Sequence, residues 1–243
     1  MAVEIQALLI GLFGFYNTLF EPVLALGPYY ALGFFSAGLA GLFSLIYWYL
    51  LDIDRADELK KKIKDKQQAM KDARKDEETD KASDFMQETM QLNQKLMMLN
   101  FKPMIATMVF VSLIFPWLSY TFSPDIPLEE ENGIYTGQLE YGGESIPITV
   151  ENNSEMVLRL DDQEAYTGES VTAHGISWEF NRFTEDNGGI FSVYDGTTAN
   201  MRAEFVDLPF RLPFAGNTLN WLGFYIILAM PLTFLFRKLL GVN

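Results

Sequence analysis

Charge is missing from three long stretches of this chain, and that absence constrains the fold more than any other feature. Tyr29–Leu51 runs for 23 residues without Asp, Glu, Lys or Arg, Pro103–Phe122 for 20 and Leu219–Phe236 for 18. As helices rising about 1.5 Å per residue, these runs approach or exceed the roughly 30 Å of a bilayer's hydrocarbon core. Their flanks fit a membrane. Tyr47, Trp48 and Tyr49 end the first run before Asp52, and Trp117 and Tyr120 lie near the far end of the second. Asn220 and Trp221 open the third, and Arg237 and Lys238 close it. Such aromatic and basic residues settle at the lipid–water boundary. The mean hydropathy of +0.06 conceals all this, because apolar and charged residues are kept in separate blocks.

Residues 5–27 are apolar too, but Gly11, Gly14, Asn17, Glu21 and Pro22 interrupt them. No Lys or Arg precedes this stretch, so it lacks the basic start of a cleaved signal peptide. The expectation is a segment lying at the interface or dipping partly into it, with Glu21-Pro22 and Gly27-Pro28 forcing turns. A fourth span is the alternative.

Orientation follows from the basic residues. Residues 52–102 hold 12 of the 18 Lys and Arg, against 12 acids, whereas 119–218 hold only Arg159, Arg182, Arg202 and Arg211 against 18 acids. Basic residues near span ends stay cytoplasmic, and acids count for little in that rule. The first segment is therefore expected in the cytoplasm and the second outside, with the N-terminus outside and the tail from Arg237 inside.

Residues 52–102 contain no Gly and no Pro, a composition that favours helix. Ala56, Leu59, Ile63, Met70 and Ala73 form one apolar stripe, interrupted by Lys66; Phe85, Leu92, Leu96 and Leu99 form another, interrupted by Thr89. Both ends must return to one membrane face, so an antiparallel helical hairpin with a coiled-coil-like seam is expected. Seven of the 11 methionines fall between Met70 and Met108. Methionine surfaces adapt to varied apolar partners, which makes Met86, Met90, Met97 and Met98 candidates for capturing one. The plainer alternative is that Met86, Met90 and Met97 fill the hairpin seam.

From Gly133 to Val206, nine glycines punctuate alternating runs such as Ile146–Val150, Met156–Leu160 and Ile176–Phe180. Short alternating strands between Gly and Asn turns predict a small antiparallel sandwich or barrel. Asn152-Asn153-Ser154 matches the glycosylation acceptor pattern on the expected outer side.

Chemistry is scarce. Cysteine is absent, which removes disulfides, thiolate metal sites and cysteine nucleophiles. The one histidine, His174, reads as an ordinary turn residue. Asp161-Asp162 and Glu129–Glu131 lack the alternating ligands and central glycine of a calcium loop, and no phosphate-binding glycine loop is present. A net charge of −14 argues against direct nucleic-acid recognition. No enzyme, metal or cofactor is expected. More telling are the uncharged polar residues in and beside the spans: Asn17, Ser36, Ser44, Thr107, Ser112, Asn217, Asn220 and Thr233. Ser and Thr commonly bond their own helix; grouped on one side, these residues would line a shallow wet groove. Gly33, Ala37 and Gly41 form a small-residue stripe whose default role is helix packing.

The order of parts carries a resemblance. Asn17-Thr18-Leu19-Phe20-Glu21-Pro22 precedes a span and a hairpin. Then Met97-Met98-Leu99-Asn100-Phe101-Lys102-Pro103-Met104 enters a span ending Phe115-Pro116-Trp117-Leu118. The last span follows Leu208-Pro209-Phe210, begins Asn220-Trp221-Leu222-Gly223-Phe224-Tyr225 and ends Arg237-Lys238-Leu239-Leu240-Gly241. Over residues 5–122 and 208–243 the chain resembles the archaeal YidC-like proteins, relatives of the third subunit of the ER membrane protein complex in the Oxa/YidC/Alb insertase superfamily. The resemblance implies a three-span core, a groove open to cytoplasm and lipid, and a hairpin that receives substrate. Bacterial members carry an arginine in that groove; here the spans are uncharged, and Lys102, Arg237 and Lys238 sit only at the cytoplasmic edge.

The expected architecture is thus an α-helical membrane protein with an inserted extracytoplasmic all-β domain. Its parts are an interfacial segment (1–28), a first span (29–51), a cytoplasmic hairpin (52–102) and a second span (103–122). A β domain (123–213), a third span (214–236) and a cytoplasmic tail (237–243) complete it. The expected role is that of a membrane-protein insertase or insertion chaperone in the plasma membrane, without an energy cofactor. Nascent membrane proteins, the ribosome that delivers them, the bilayer and further membrane subunits are the candidate partners. The competing expectation is a structural or sensory protein with an outer β binding domain and a cytoplasmic coiled-coil docking arm.

Overall fold

The computed structural model describes residues 2–152, 156–185, 194, 196–212 and 216–242, with backbone alone at 2–6, 152, 210–212, 216 and 217. Four of its helices are long and apolar enough to cross a membrane. These are α1 (Ala2–Leu24), α2 (Pro28–Leu50), α4 (Thr79–Phe122) and α5 (Trp221–Leu239); α3 (Ile53–Lys75) is hydrophilic. Among the described residues ten strands follow α4, from β1 (Asp125–Pro127) to β10 (Gly216–Asn220), and α5 comes after them. The chain divides into two compact units, Met1–Gly38 with Leu113–Met230, and Leu39–Ser112 with Pro231–Asn243.

In the first unit the expected turn at Glu21-Pro22 does not occur. Helix α1 continues through Pro22 to Leu24, and the chain turns only at Ala25–Gly27, where Gly27 adopts φ 99°. The proline ring forgoes one helical bond, but the helix ends within a turn and the amide of Ala25 still donates to the carbonyl of Glu21. Trp117, near the far end of the second span, is fully buried among side chains. Its rings contact Tyr16, Phe20 and Phe35 at centroid distances of 5.6, 5.2 and 5.1 Å, which joins α1, α2 and the end of α4. Its indole N–H donates to Asn17 Oδ1 at 2.8 Å. Indole is the bulkiest apolar body in the protein alphabet and carries one donor, so burying it requires an acceptor such as Asn17.

The β region forms two five-stranded antiparallel sheets. One runs β2 (Glu129–Glu131), β3 (Ile134–Tyr141), β4 (Glu144–Asn152), β5 (Met156–Leu160) and β6 (Gln163–Tyr166). The other runs β1, β9 (Thr198–Leu212), β8 (Ile176–Thr184) and β7 (Ser170–Ala173), with β10 also on β9. Alternate residues face inward, as the sequence rhythm requires: Leu158 and Leu160 from β5, Trp178 and Phe180 from β8, and Met201 and Ala203 from β9 are all buried. The sheets approach closely at Gly137, where a Cβ would lie 2.7 Å from the Pro127 carbonyl oxygen. This is the expected sandwich, and it is anchored to the helices. Asn200 Nδ2 donates to Asp125 Oδ1 at 2.9 Å and reaches the Pro124 carbonyl at 3.3 Å, on the link out of α4. Phe205 of β9 stacks on Phe224 of α5 at 5.2 Å and meets Tyr29 and Phe122 at 5.4 and 5.6 Å. The third span, expected from 214, begins as helix only at Trp221, because residues 216–220 pair with β9 as β10. Asn220 then caps α5, its Oδ1 accepting the amide of Gly223 at 3.0 Å. Asn153 and Ser154 of the glycosylation pattern lie outside the described residues.

In the second unit α3 and the first part of α4 pack as a helical hairpin. Asp52 caps α3 by accepting the amide of Arg55 at 3.0 Å. At the tip Glu77 takes a left-handed φ of 59°, and the amide of Glu78 closes the turn on the carbonyl of Ala73. Ala56, Leu59, Ile63, Ala73, Ala82 and Thr89 form the buried seam; Leu92 and Leu96 are half-buried. Both interruptions in the stripes have partners. Lys66 lies 5.0 Å above the Phe85 ring and pairs with Glu88, while the Thr89 hydroxyl donates to the Phe85 carbonyl at 2.8 Å. A single helix of 44 residues runs from the hairpin through Pro103 to Phe122, where separate elements were expected.

Candidate functional site

In the second unit Met86, Met90, Met97 and Met98 are not in the seam; they are 44–66% exposed. The exposed apolar surface continues along the same helix through Phe101, Met104, Ile105 and Met108. Lys102 is exposed at the point where charge ends. From there the helix is uncharged, so the track leads from a hydrophilic arm into a stretch of membrane composition. Thr107 and Ser112 lie on this stretch, and their hydroxyls donate to the carbonyls of Met104 and Val109 at 2.9 and 2.8 Å. Each hydroxyl keeps acceptor capacity for another group. Ser44 is fully buried and donates to the Ala40 carbonyl at 2.7 Å, so it offers nothing to a groove. Thr233 is half-buried on α5. Arg237, near the end of α5, holds its guanidinium 4.4 Å above the Tyr47 ring, and Lys238 is exposed.

In the first unit Ser36 is also fully buried and bonded to its own helix, at 2.7 Å from the Leu32 carbonyl. Asn17 serves Trp117 and Asn220 caps α5, so both have local structural work. The side chain of Asn217 lies outside the described residues. Of the eight polar residues read as groove lining, then, Thr107, Ser112 and Thr233 have hydroxyls on an exposed or half-exposed surface, the first two on the helix that carries the methionines.

Sequence reasoning missed a recess of about 810 Å³ in this unit, between α1 and the β sandwich. Asn17, Thr18 and Glu21 line it from α1, and Glu140 and Glu144 flank the β3–β4 turn. That turn fits against α1 because it is Gly142-Gly143, both at positive φ; a Cβ on Gly143 would meet Glu21 Oε1 at 3.5 Å. No local pattern signals such a recess, since its walls are more than 100 residues apart in the chain. His174 lies near by. It occupies a left-handed turn position (φ 52°), yet its side chain is only 4% exposed, with Nδ1 3.2 Å from Glu144 Oε2. The adjacent Tyr141 hydroxyl is buried without a hydrogen-bond partner among the described residues, and burial pushes its phenol above the ordinary range. Among the described residues no group of acids and histidine is close enough to hold a metal ion.

No curated protein and no solved structure matches this chain. Residues 17–141 match the family described as integral membrane protein EMC3/TMCO1-like. The match begins within α1, takes in α2, the hairpin and all of α4, and ends with β3, just over half of the sequence. The chain therefore belongs to the EMC3/TMCO1-like family of integral membrane proteins, within the Oxa1/YidC/Alb3 insertase superfamily.

Proposed function

We propose that the protein is a membrane-protein insertase or insertion chaperone of the YidC-like kind found in archaea, working without catalytic residues or an energy cofactor. One observation carries the reading beyond family membership. The exposed methionine face of the hairpin continues, on one unbroken helix, into the uncharged membrane stretch. An apolar segment held on Met86, Met90, Met97 and Met98 has a continuous apolar path towards the bilayer, and flexible thioethers fit segments of many shapes. The cost to be lowered belongs to the polar flanks, since a charged residue at a helix centre costs about 2.5–3.5 kcal/mol on insertion scales. Thr107 and Ser112, with spare acceptor capacity beside that path, ease such flanks past the apolar surface. In the orientation set by the basic residues, the hairpin and C-terminal tail lie in the cytoplasm and the β sandwich outside, across a plasma membrane. Nascent chains, a delivering ribosome and further membrane subunits are the partners this requires.

The test is reconstitution in liposomes with a substrate carrying a short charged tail. Insertion above that of empty liposomes is expected, together with crosslinks from the four methionine positions to the substrate before entry. No gain over empty liposomes overturns the reading. In that event, loss of function only when residues 123–207 are removed would identify a sensory protein with an outer binding domain.

A further inference from the structure

Carboxylates reach the recess between α1 and the β sandwich from several elements. Glu21 comes from α1, Asp125 and Glu129 from β1 and β2, and Glu140 and Glu144 from the two sides of the β3–β4 turn. None of the described lining residues is Lys, Arg or His. Two of these acids have partners: Asp125 accepts from Asn200 and lies 3.8 Å from an Arg182 nitrogen, and Glu144 meets His174. Glu21, Glu129 and Glu140 are in no ion pair among the described residues. Charges of one sign around a concave, poorly solvated wall repel each other and focus a negative field inside it. A cation entering the recess relieves that repulsion.

Two further features point to an occupant. Tyr141 stands in the wall of the recess, only 6% exposed, and its hydroxyl has no hydrogen-bond partner among the described residues. An unpaired buried hydroxyl costs free energy, which a ligand group reaching it recovers. On the α4 side, Tyr120 and Tyr194 hold their hydroxyls 3.1 Å apart and add ring faces to the lining. Carboxylates beside tyrosine rings suit ammonium and guanidinium groups, which take charge, hydrogen bonds and ring faces together. A metal ion fits less well, because no three of the described acids are close enough to share one. The volume, about 810 Å³, is that of a site for a drug-sized ligand or a few residues of chain.

We propose that the recess holds the Lys- or Arg-bearing flank of an inserting segment once that flank has crossed the membrane. The source of the peptide rests on the insertase reading; its basic chemistry rests on the recess alone. Tyr120 and Thr121 of the lining stand at the opposite end of α4 from Met86, where a segment passing along that helix brings its leading flank. There Glu21 and Glu140 replace part of the water around each cationic group, and the Tyr141 hydroxyl gains a partner. The membrane potential pulls a basic flank back towards a negative cytoplasm, so such a flank needs a holding site more than an acidic one does. An acidic flank meets repulsion at the same place, and the site thereby selects by sign.

The probe is a fluorescent peptide with three lysines spaced by glycine and serine, titrated by polarisation onto the full-length protein in phosphatidylcholine nanodiscs. The protein should bind it above empty nanodiscs and reject the counterpart with three glutamates. Glu21→Gln with Glu140→Gln should weaken binding about tenfold. Asp161→Asn with Asp162→Asn removes as much charge between β5 and β6, outside the recess, and should leave the affinity unchanged. Equal loss in both double variants would mean diffuse attraction to an acidic domain, and overturns the site. Tyr141→Phe should weaken the peptide about threefold and raise the melting temperature of the peptide-free protein, since the unpaired hydroxyl is gone; a lower melting temperature overturns its part in the site. Spermidine bound while the lysine peptide is rejected would make this a polyamine site and also overturns the proposal. In liposomes, any preference for a lysine-tailed over a glutamate-tailed segment should be lost in the Glu21→Gln, Glu140→Gln variant. Peptide binding without insertion would keep the basic-peptide site and overturn the insertase reading alone; insertion without peptide binding would do the reverse.

Discussion

The hairpin and the β sandwich are both hydrophilic outside and apolar inside, but they are held together at very different ranges. The hairpin seam is made of Ala56, Leu59, Ile63, Ala73, Ala82 and Thr89, mostly small or single aliphatic side chains on two helices joined by one short turn. Its surface carries ion pairs three or four residues apart, such as Lys60–Asp57 and Lys81–Glu78. The sandwich buries Trp178, Phe180, Leu139, Leu158 and Met201, and closes through pairings such as Asp125 with Asn200. A thin local seam leaves large apolar residues over for the surface, as the methionines show. A thick, long-range core uses them up. The difference teaches where adaptable binding surface can be kept in such a chain.

The comparison breaks most visibly in the sandwich. Trp178 is fully buried, and its indole donates to the Ala173 carbonyl at 3.0 Å. Trp178→Ala should destabilise the sandwich by about 3–5 kcal/mol, lowering its melting temperature by near-UV dichroism while far-UV helix signal persists. Loss of the helix signal at the same temperature would show that the two regions are not energetically separate. The largest effect expected in the hairpin comes from the backbone. Gln67→Pro removes a helical bond and clashes with the preceding turn, costing about 3 kcal/mol or more. It should reduce helicity and substrate crosslinking together; a side-chain change there should do neither.

Asn17→Leu is the intermediate case. It leaves the buried Trp117 indole without its acceptor, which should cost about 1–3 kcal/mol, measured by denaturant titration. Trp117→Phe in the same background should recover part of the loss, because the orphaned donor disappears. Smaller still is Lys66→Ala, which removes a half-exposed pair with Glu88 and should cost under about 1 kcal/mol. The smallest effect is electrostatic. Lys62, by hydrogen bond and charge, holds the Glu58 carboxyl below its ordinary value. A depressed carboxyl contributes stability above its unfolded pKa and loses it as pH falls through the folded value. Acidification should therefore loosen the hairpin slightly, and Glu58→Gln should remove that part of the acid response.

Range also explains what could be read in advance. The hairpin was legible because its stripes repeat within each helix; Thr89 interrupts one for a reason visible one turn away, whereas the partners of Lys66 stand on the other arm. The strands at 144–152, 156–160 and 176–184 were legible from alternation, and Gly142-Gly143 from turn chemistry. The burial of Trp117 was not, because its acceptor stands 100 residues earlier. Nor was the late start of α5, since nothing in the uncharged run Gly216–Asn220 marks it as a strand on β9 and not as the approach to a membrane helix. The candidate site was half legible. The methionine cluster could be counted, but its exposure depended on how small the seam proved to be, and Ser36 and Ser44 look identical in sequence to hydroxyls that face outward.

The strand β2 has a consequence beyond its own sheet. It is an edge strand, and its three residues, Glu129, Glu130 and Glu131, are all exposed. Proteins confined to a membrane meet their own copies in two dimensions, oriented alike, so matching edges face each other often. A second copy adding itself to β2 would bring three carboxylates against three at a spacing of about 4.8 Å. The strand thus acts as a bumper, keeping a crowded population of identical domains from zipping into a continuous sheet.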